Sequence, residues 1–270
     1  MPRSASPVSA SPVSAGAAPG PQMPAVQHLV VRYAKRGKMR FASHRDVARA
    51  FERGVRRAEL PIAYSAGFTP HPKISYAGGA PTGVASEAEY LSLALTARQA
   101  ETQVCQRLDA ALPDGIDVID VIEGTTGSGS PFGHLEASEW EVVLPGVEPL
   151  AAEVAVAQFL DRDEALVERL TDKGVRRLDA RAAVVRMSVS EPGQVPADPD
   201  GGQRAAVTGH QVCAILRMVV LHTAPAVRPE DIVTALREQG GLTVPLPPVT
   251  TRLAQGSQAL LAGSEAEPYL

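Results

Sequence analysis

Ser43 to Pro61, SHRDVARAFERGVRRAELP, decides how the first half of this chain folds. Val47, Phe51, Val55 and Ala58 recur at helical spacing, with Arg45, Arg49, Arg53 and Arg56 on the opposite side. That pattern predicts an amphipathic helix from His44 to Glu59 with one face to bury. Ser43 stands three residues before Asp46, a weak capping-box form that makes Ser43 a good N-cap. Leu60–Pro61 ends the helix, because proline restricts the residue before it and has no N–H to give.

Working outward, HLVVRYAKRGKMRFAS (His28 to Ser43) holds two apolar patches around Lys35–Arg36–Gly37–Lys38. It predicts one long strand with a bulge, or a short hairpin. After the helix, Ile62 to Tyr64 is extended, Gly67 to Pro72 is a loop, and Ile74 to Tyr76 is a short strand. Glu89 to Thr96 alternates as a strand, Ala97 to Leu112 is a second amphipathic helix, and Ile116 to Ile122 is a β-branched strand. The order β, α, β, β, α, β predicts a split-βαβ, ferredoxin-like unit over residues 26–123, with both helices on one antiparallel sheet. GTTGSGSPFG (Gly124 to Gly133) is a linker by composition, so 124–135 joins this unit to a second.

In the second unit, 136–254, Trp140 to Leu144 reads as a strand and Pro149 to Leu160 as a helix. Glu164 to Arg169 fits either. Leu178 to Ser190 and Val212 to His222 read as strands around a long polar loop, and Pro229 to Gln239 as a helix. The expected class is therefore α+β, with two tandem ferredoxin-like units on antiparallel sheets. Residues 1–25 are mostly Pro, Ser, Ala and Gly with SASPV written twice, a disordered tail by composition. Residues 255–270 read as a frayed polar tail.

A chain of 270 residues with ordinary apolar and charged content can bury a good core. It has no run of eighteen apolar residues and its start lacks a secretory h-region, so no membrane span and a cytoplasmic location are expected. Cys105 and Cys213 sit in apolar periodic segments and read as buried thiols. No CxxC or CxxxCxxC occurs, so the chain supplies no iron–sulfur ligands, and no cofactor is expected.

The net charge is −4, yet between Arg32 and Lys73 eleven Lys and Arg stand against Asp46, Glu52 and Glu59. A basic island in an acidic protein points to an anionic partner, with RNA or another phosphate-bearing ligand first. The candidate contacts are Arg40, Arg45, Arg49, Arg53, Arg56 and Arg57, which could track phosphates, and the loop PHPK. There His71 lies between two prolines, Lys73 adds a cation, and Tyr64 and Phe68 offer faces for base stacking. Lys173 and Arg181 belong to a second basic group, KGVRRLDAR. His44, Asp46 and His71 are acid–base candidates for a rival reading, an enzyme acting on a phosphodiester or nucleoside. Another rival is a scaffold that binds only protein. No metal is expected from three ligands without defined spacing. Glu87 and Glu89 flank a strand and are expected at the surface. We also expect His44, His71 and Lys73 to surround one pocket.

RFASHRD (Arg40 to Asp46), RRAELPIAYSAGFTPHPKIS (Arg56 to Ser75) and PTGVASEAEYL (Pro81 to Leu91) closely resemble the radical-SAM-linked family of bacterial proteins. The resemblance spans about residues 28–253. It continues more weakly at KGVRRLDAR (Lys173 to Arg181) and TAPAVRPEDIVTALR (Thr223 to Arg237). Members occur alone or C-terminal to a B12-binding radical SAM protein, and this chain matches the stand-alone form. The resemblance implies a radical SAM protein as a possible partner and names no reaction. From the residues and the resemblance together, the expectation is an RNA-binding accessory module in RNA processing or modification.

Overall fold

The computed structural model describes residues 23–66, 68–124, 130–171, 174–190 and 212–263. Strand β1 (Gln27–Lys35) leads through a 3-10 turn (Gly37–Phe41) into helix α1 (His44–Arg57). The turn replaces the expected hairpin or prolonged strand, and Gly37 takes the positive φ that starts it. Strands β2 (Ile74–Tyr76) and β3 (Ala85–Leu95), helix α2 (Glu101–Asp109) and strand β4 (Ile116–Glu123) follow. The second half holds β5 (Ala137–Pro145), α3 (Pro149–Leu160), a hairpin of β6 (Leu166–Thr171) and β7 (Gly174–Asp179), and the short α4 (Ala180–Ala183). It ends with β8 (Val184–Ser190), β9 (Cys213–Leu221), α5 (Pro229–Gln239), β10 (Val249–Gly256) and α6 (Gln258–Ala262).

Ser43 caps α1 as its spacing predicts. Its hydroxyl accepts from Asp46 N–H, while the Asp46 carboxylate accepts from Ser43 N–H and O–H. Such a cap contributes about 1 kcal/mol. The apolar stripes of α1 and α2 share one core with Leu29, Val31 and Tyr33 of β1 and Leu91, Leu93 and Leu95 of β3. The two helices thus cover the same sheet face, as the sequence predicts. Gly54 makes this approach possible, because a Cβ there would lie 2.9 Å from Leu112 Cδ2. Behind the sheet, Val30, Ala88 and Tyr90 are closed off by Phe132 and Leu135, so β3 is buried on both faces.

The two halves do not form separate antiparallel sheets. Among the described residues the main sheet is one eight-stranded mixed sheet in the order β4-β1-β3-β10-β5-β9-β8, with β2 also on β3. Its only parallel pair is at the junction, where Thr251 and Arg252 of β10 run beside Ala85 and Ser86 of β3. The physical reason is a shared edge. The short β2 covers only Leu91 to Leu93 of β3 and leaves the start of that edge unpaired, where an exposed ladder would be costly.

The predicted strand Leu178 to Ser190 is broken. Asp179 accepts from Arg181 N–H and turns the chain through α4, which separates the β6–β7 hairpin from the main sheet. Residues 255–262, read above as tail, complete β10 and form α6, where Leu261 is buried against Ala137 and Val219. Among the described residues no helix is long and apolar enough to cross a membrane. The tail 1–22, most of the linker (125–129), Gly67, Lys173, the loop 191–211 and 264–270 lie outside the described residues.

Candidate nucleic-acid interface

The basic island divides into an inner and an outer set. Lys35 donates to the Ala80 and Pro81 carbonyls. Arg36 pairs with Glu87 and, at 3.0 Å, with Asp117. Arg32 donates to the Glu87 carbonyl, and Arg57 to the Ala111 carbonyl beyond α2. These cations serve the fold. Arg40 stacks on Phe41, 4.5 Å from the ring centroid, with a buried Nε.

The outer set is the α1 face. Arg45, Arg49, Arg53 and Arg56 are exposed and, among the described residues, none has a carboxylate within ion-pair distance. Of the acids on this helix, Asp46 is committed to the cap and Glu52 is half-buried on the flank toward Tyr76. The hydrogen bonds from Ser43, then the charges of Arg49 and Arg45, hold the Asp46 carboxyl below its usual range. One cation per helical turn stands about 6 Å from the next, so the face is a line of positive charge facing solvent.

Six residues beyond α1 the chain enters an arch. Tyr64 bridges to Pro72, Ser65 N–H donates to the His71 carbonyl, His71 N–H donates to Ser65 Oγ, and Lys73 N–H donates to the Ala63 carbonyl. His71, Lys73 and Tyr64 are exposed, and Phe68 at the tip is 96% exposed. The arch is anchored at the Ala94–Leu95 end of β3 through Ala63 N–H to Ala94 O and Ala94 N–H to Lys73 O.

His44 lies beside the middle of that strand, where Tyr76 of β2 pairs with Leu91. Its ring packs edge-on against Tyr76 at 5.3 Å between centroids. A Cβ on Gly79 would lie 3.5 Å from its Cδ2 and 3.4 Å from Glu89 Oε2. Glu89 and Ala94 are five strand residues apart, about 17 Å. Strand β2 therefore separates the two groups along the chain: Lys73 N–H is bonded at its start, to the Ala63 carbonyl, and His44 packs on Tyr76 at its end. With Asp46 bound in the cap, the three acid–base candidates do not converge.

Arg181 donates to the Leu160 and Val184 carbonyls and is a structural tether of α4. Among the described residues no group of three or more His, Cys, Asp or Glu is arranged to hold a metal. A cleft of about 410 Å³ at the end of α5, lined by Thr234, Arg237, Glu238, Leu242, Thr243 and Val244, includes no residue singled out from the sequence.

Sequence reading missed two polar clusters. The first lies at the β3–β10 junction. Glu89 and Lys35 are each 3% exposed and Arg252 6%, so the surface position expected for Glu89 is wrong. Glu89 accepts from Ala80 N–H and from Arg252 Nη1 at 3.1 Å, and Arg252 also donates to the Gly78 carbonyl and stacks on Trp140. Three buried charges thus bind the loop 77–81 to strands from both halves. Glycines and a proline in that loop, beside an acid and a lysine on flanking strands, were the available signal.

The second cluster is Ser138 with His222. The ring Nδ1 lies 2.8 Å from the Leu135 carbonyl, which can only accept, so Nδ1 carries the proton and Nε2 accepts from Ser138 Oγ at 2.7 Å. Ser138 is buried, so this hydroxyl meets no substrate. His222 is exposed at its edge, but the part of its ring turned toward Ser138 and Leu135 is desolvated, which pushes its pKa below the ordinary value. The charge of Arg252 acts the same way, and the bond to Leu135 opposes both. A folded pKa below the unfolded one contributes stability that is present above about pH 6.5 and is lost as pH falls through the folded value. Chemical denaturation should therefore show a smaller loss between pH 7.5 and 5 in His222→Gln than in the parent chain. An equal loss in both would dissociate His222 from the acid sensitivity.

With this geometry in view, the family is plain. Residues 28–229 match the family model described as uncharacterized protein conserved in bacteria (DUF2344), and the chain belongs to that family. No curated protein matches it.

Proposed function

We propose that this DUF2344 member is an RNA-binding accessory module that serves RNA processing or modification beside a radical SAM enzyme. The observation that carries the reading is the α1 face, where Arg45, Arg49, Arg53 and Arg56 meet solvent and, among the described residues, none has a carboxylate within ion-pair distance. With Asp46 held in the cap and Glu52 half-buried, the exposed face keeps a net positive charge. Such a line suits a polyanion, whose counterions it displaces. The sequence resemblance supports the radical SAM association. The separation of His44 from His71 counts against the phosphodiesterase alternative, and the open shape of the surface favours an extended ligand over a small one.

We read the sheet as two split-βαβ units joined edge to edge, 26–123 and 136–254, connected by 124–135. In support, β1, β2, β3 and β4 lie in the order 4-1-3-2, and β5, β8, β9 and β10 repeat it as 10-5-9-8. Four-stranded sheets of this kind serve elsewhere as RNA platforms.

The test is a titration of labelled RNA across salt concentrations, paired with crosslinking that recovers bound RNA from cells. Binding that weakens steeply with salt supports the reading. Absence of binding at about 50 mM salt, where phosphate contacts are strong, overturns it.

A further inference from the structure

Resting on the RNA reading, we infer that the ligand is single-stranded at this site, with its backbone along α1 and an unpaired base stacked on Phe68. Two independent features of the surface carry the inference. The first is that the arginines form one line and not two. Arg45, Arg49 and Arg53 climb the helix in steps of about 6 Å, comparable with the repeat of one extended strand. A duplex presents two backbones across a groove, and one row of cations would leave one of them without partners.

The second feature is Phe68. It is 96% exposed, an apolar ring with no ring contact among the described residues, in an arch closed by Ser65, His71, Tyr64 and Pro72. These bonds hold the base of the arch in place, so less ordering entropy is lost when a ligand docks on it. Bases inside a duplex have both faces stacked already and offer nothing to this ring, whereas an unpaired base exposes a π-face that any aromatic side chain can take. Only residues 58–63 separate the end of α1 from the arch, so a strand leaving Arg56 has at most about 25 Å to cover before it reaches it. Tyr64, exposed in the same arch, gives a second ring, and Lys73 a phosphate contact next to it.

The experiment uses the full chain, fluorescein-labelled ten-nucleotide uridine RNA, and a blunt RNA duplex of ten base pairs. Phe68→Ala should weaken the single strand by roughly 5- to 100-fold, the range one lost stack produces, with an unchanged salt slope, because no charge is removed. Duplex binding should not respond to it. Phe68→Trp should restore affinity. It also adds a reporter, since the chain has a single other tryptophan, the buried Trp140. Quenching of the new, solvent-exposed emission by the oligonucleotide is the expected signature. Phe68 supports no packing, so the melting temperature should not change, and a fall in it would overturn the contact assignment. Single-strand affinity that is equal in Phe68→Ala and the parent would overturn the stacking inference while leaving RNA binding intact. Failure of the parent chain to bind either RNA would instead bring down the function on which the inference rests.

Discussion

Glu89→Ala is expected to cost roughly 3–5 kcal/mol of stability, the range for breaking a buried ion pair by removing one partner. The carboxylate pairs with the buried Arg252 at 3.1 Å, acts on the nearby buried charge of Lys35, and accepts from Ala80 N–H. Without it two like charges face each other in a site with little water, and the loop 77–81 loses a bond. Burial already lowers the Lys35 pKa, with Arg252 adding to the effect and Glu89 opposing it. Removing Glu89 lowers it further. Since a depressed folded pKa gives stability that returns as pH rises toward the unfolded value, the variant should recover part of its loss between pH 7 and 9.5. Urea denaturation at the two pH values measures both effects. A loss below about 1 kcal/mol at pH 7, which is the scale of an exposed pair, would mean that the cluster does not hold the halves together.

That cluster also marks the limit of what the chain discloses locally. Helix α1 with its Ser43 cap, α3 from Pro149 and α5 from Pro229 were legible because each start is written within four residues and each apolar stripe within one helix. The shared core under α1 and α2 followed from their stripes. The β3–β10 contact was not legible. It joins Ser86 to Arg252 across more than half the chain, and nothing in VTTRLAQG distinguishes a strand that closes one sheet from one that ends another. Arg252 and Glu89 then look like ordinary surface charges, since only the long-range pairing buries them. The site shows the same division. The arginine face was legible from helical spacing, but its distance from the PHPK loop depended on the direction of a three-residue strand.

The arginine face itself is open to a direct test. Arg49→Glu combined with Arg53→Glu should reduce the slope of log affinity against log salt by between about 1.4 and 2, as two phosphate contacts are lost. The same slope change implies a loss of about 25- to 100-fold at 0.1 M salt, shrinking toward parity near 1 M. Charge alone could weaken any polyanion, so the control is Arg98→Glu with Arg237→Glu. Both are exposed and lie outside the stripe, and the change in net charge is identical. A long-range field effect would make the two double variants equal, whereas a contact line makes the first far more damaging. Arg49 and Arg53 do not support the core, since α1 buries Val47, Ala50, Phe51, Gly54 and Val55 and exposes both arginines; Arg98 pairs with Glu123 at 2.7 Å, so the control variant's melting temperature is measured alongside its slope. Equal slopes for the parent and the Arg49/Arg53 variant would remove the helix face from RNA binding, because a phosphate contact cannot be lost without retaining the counterions it had displaced.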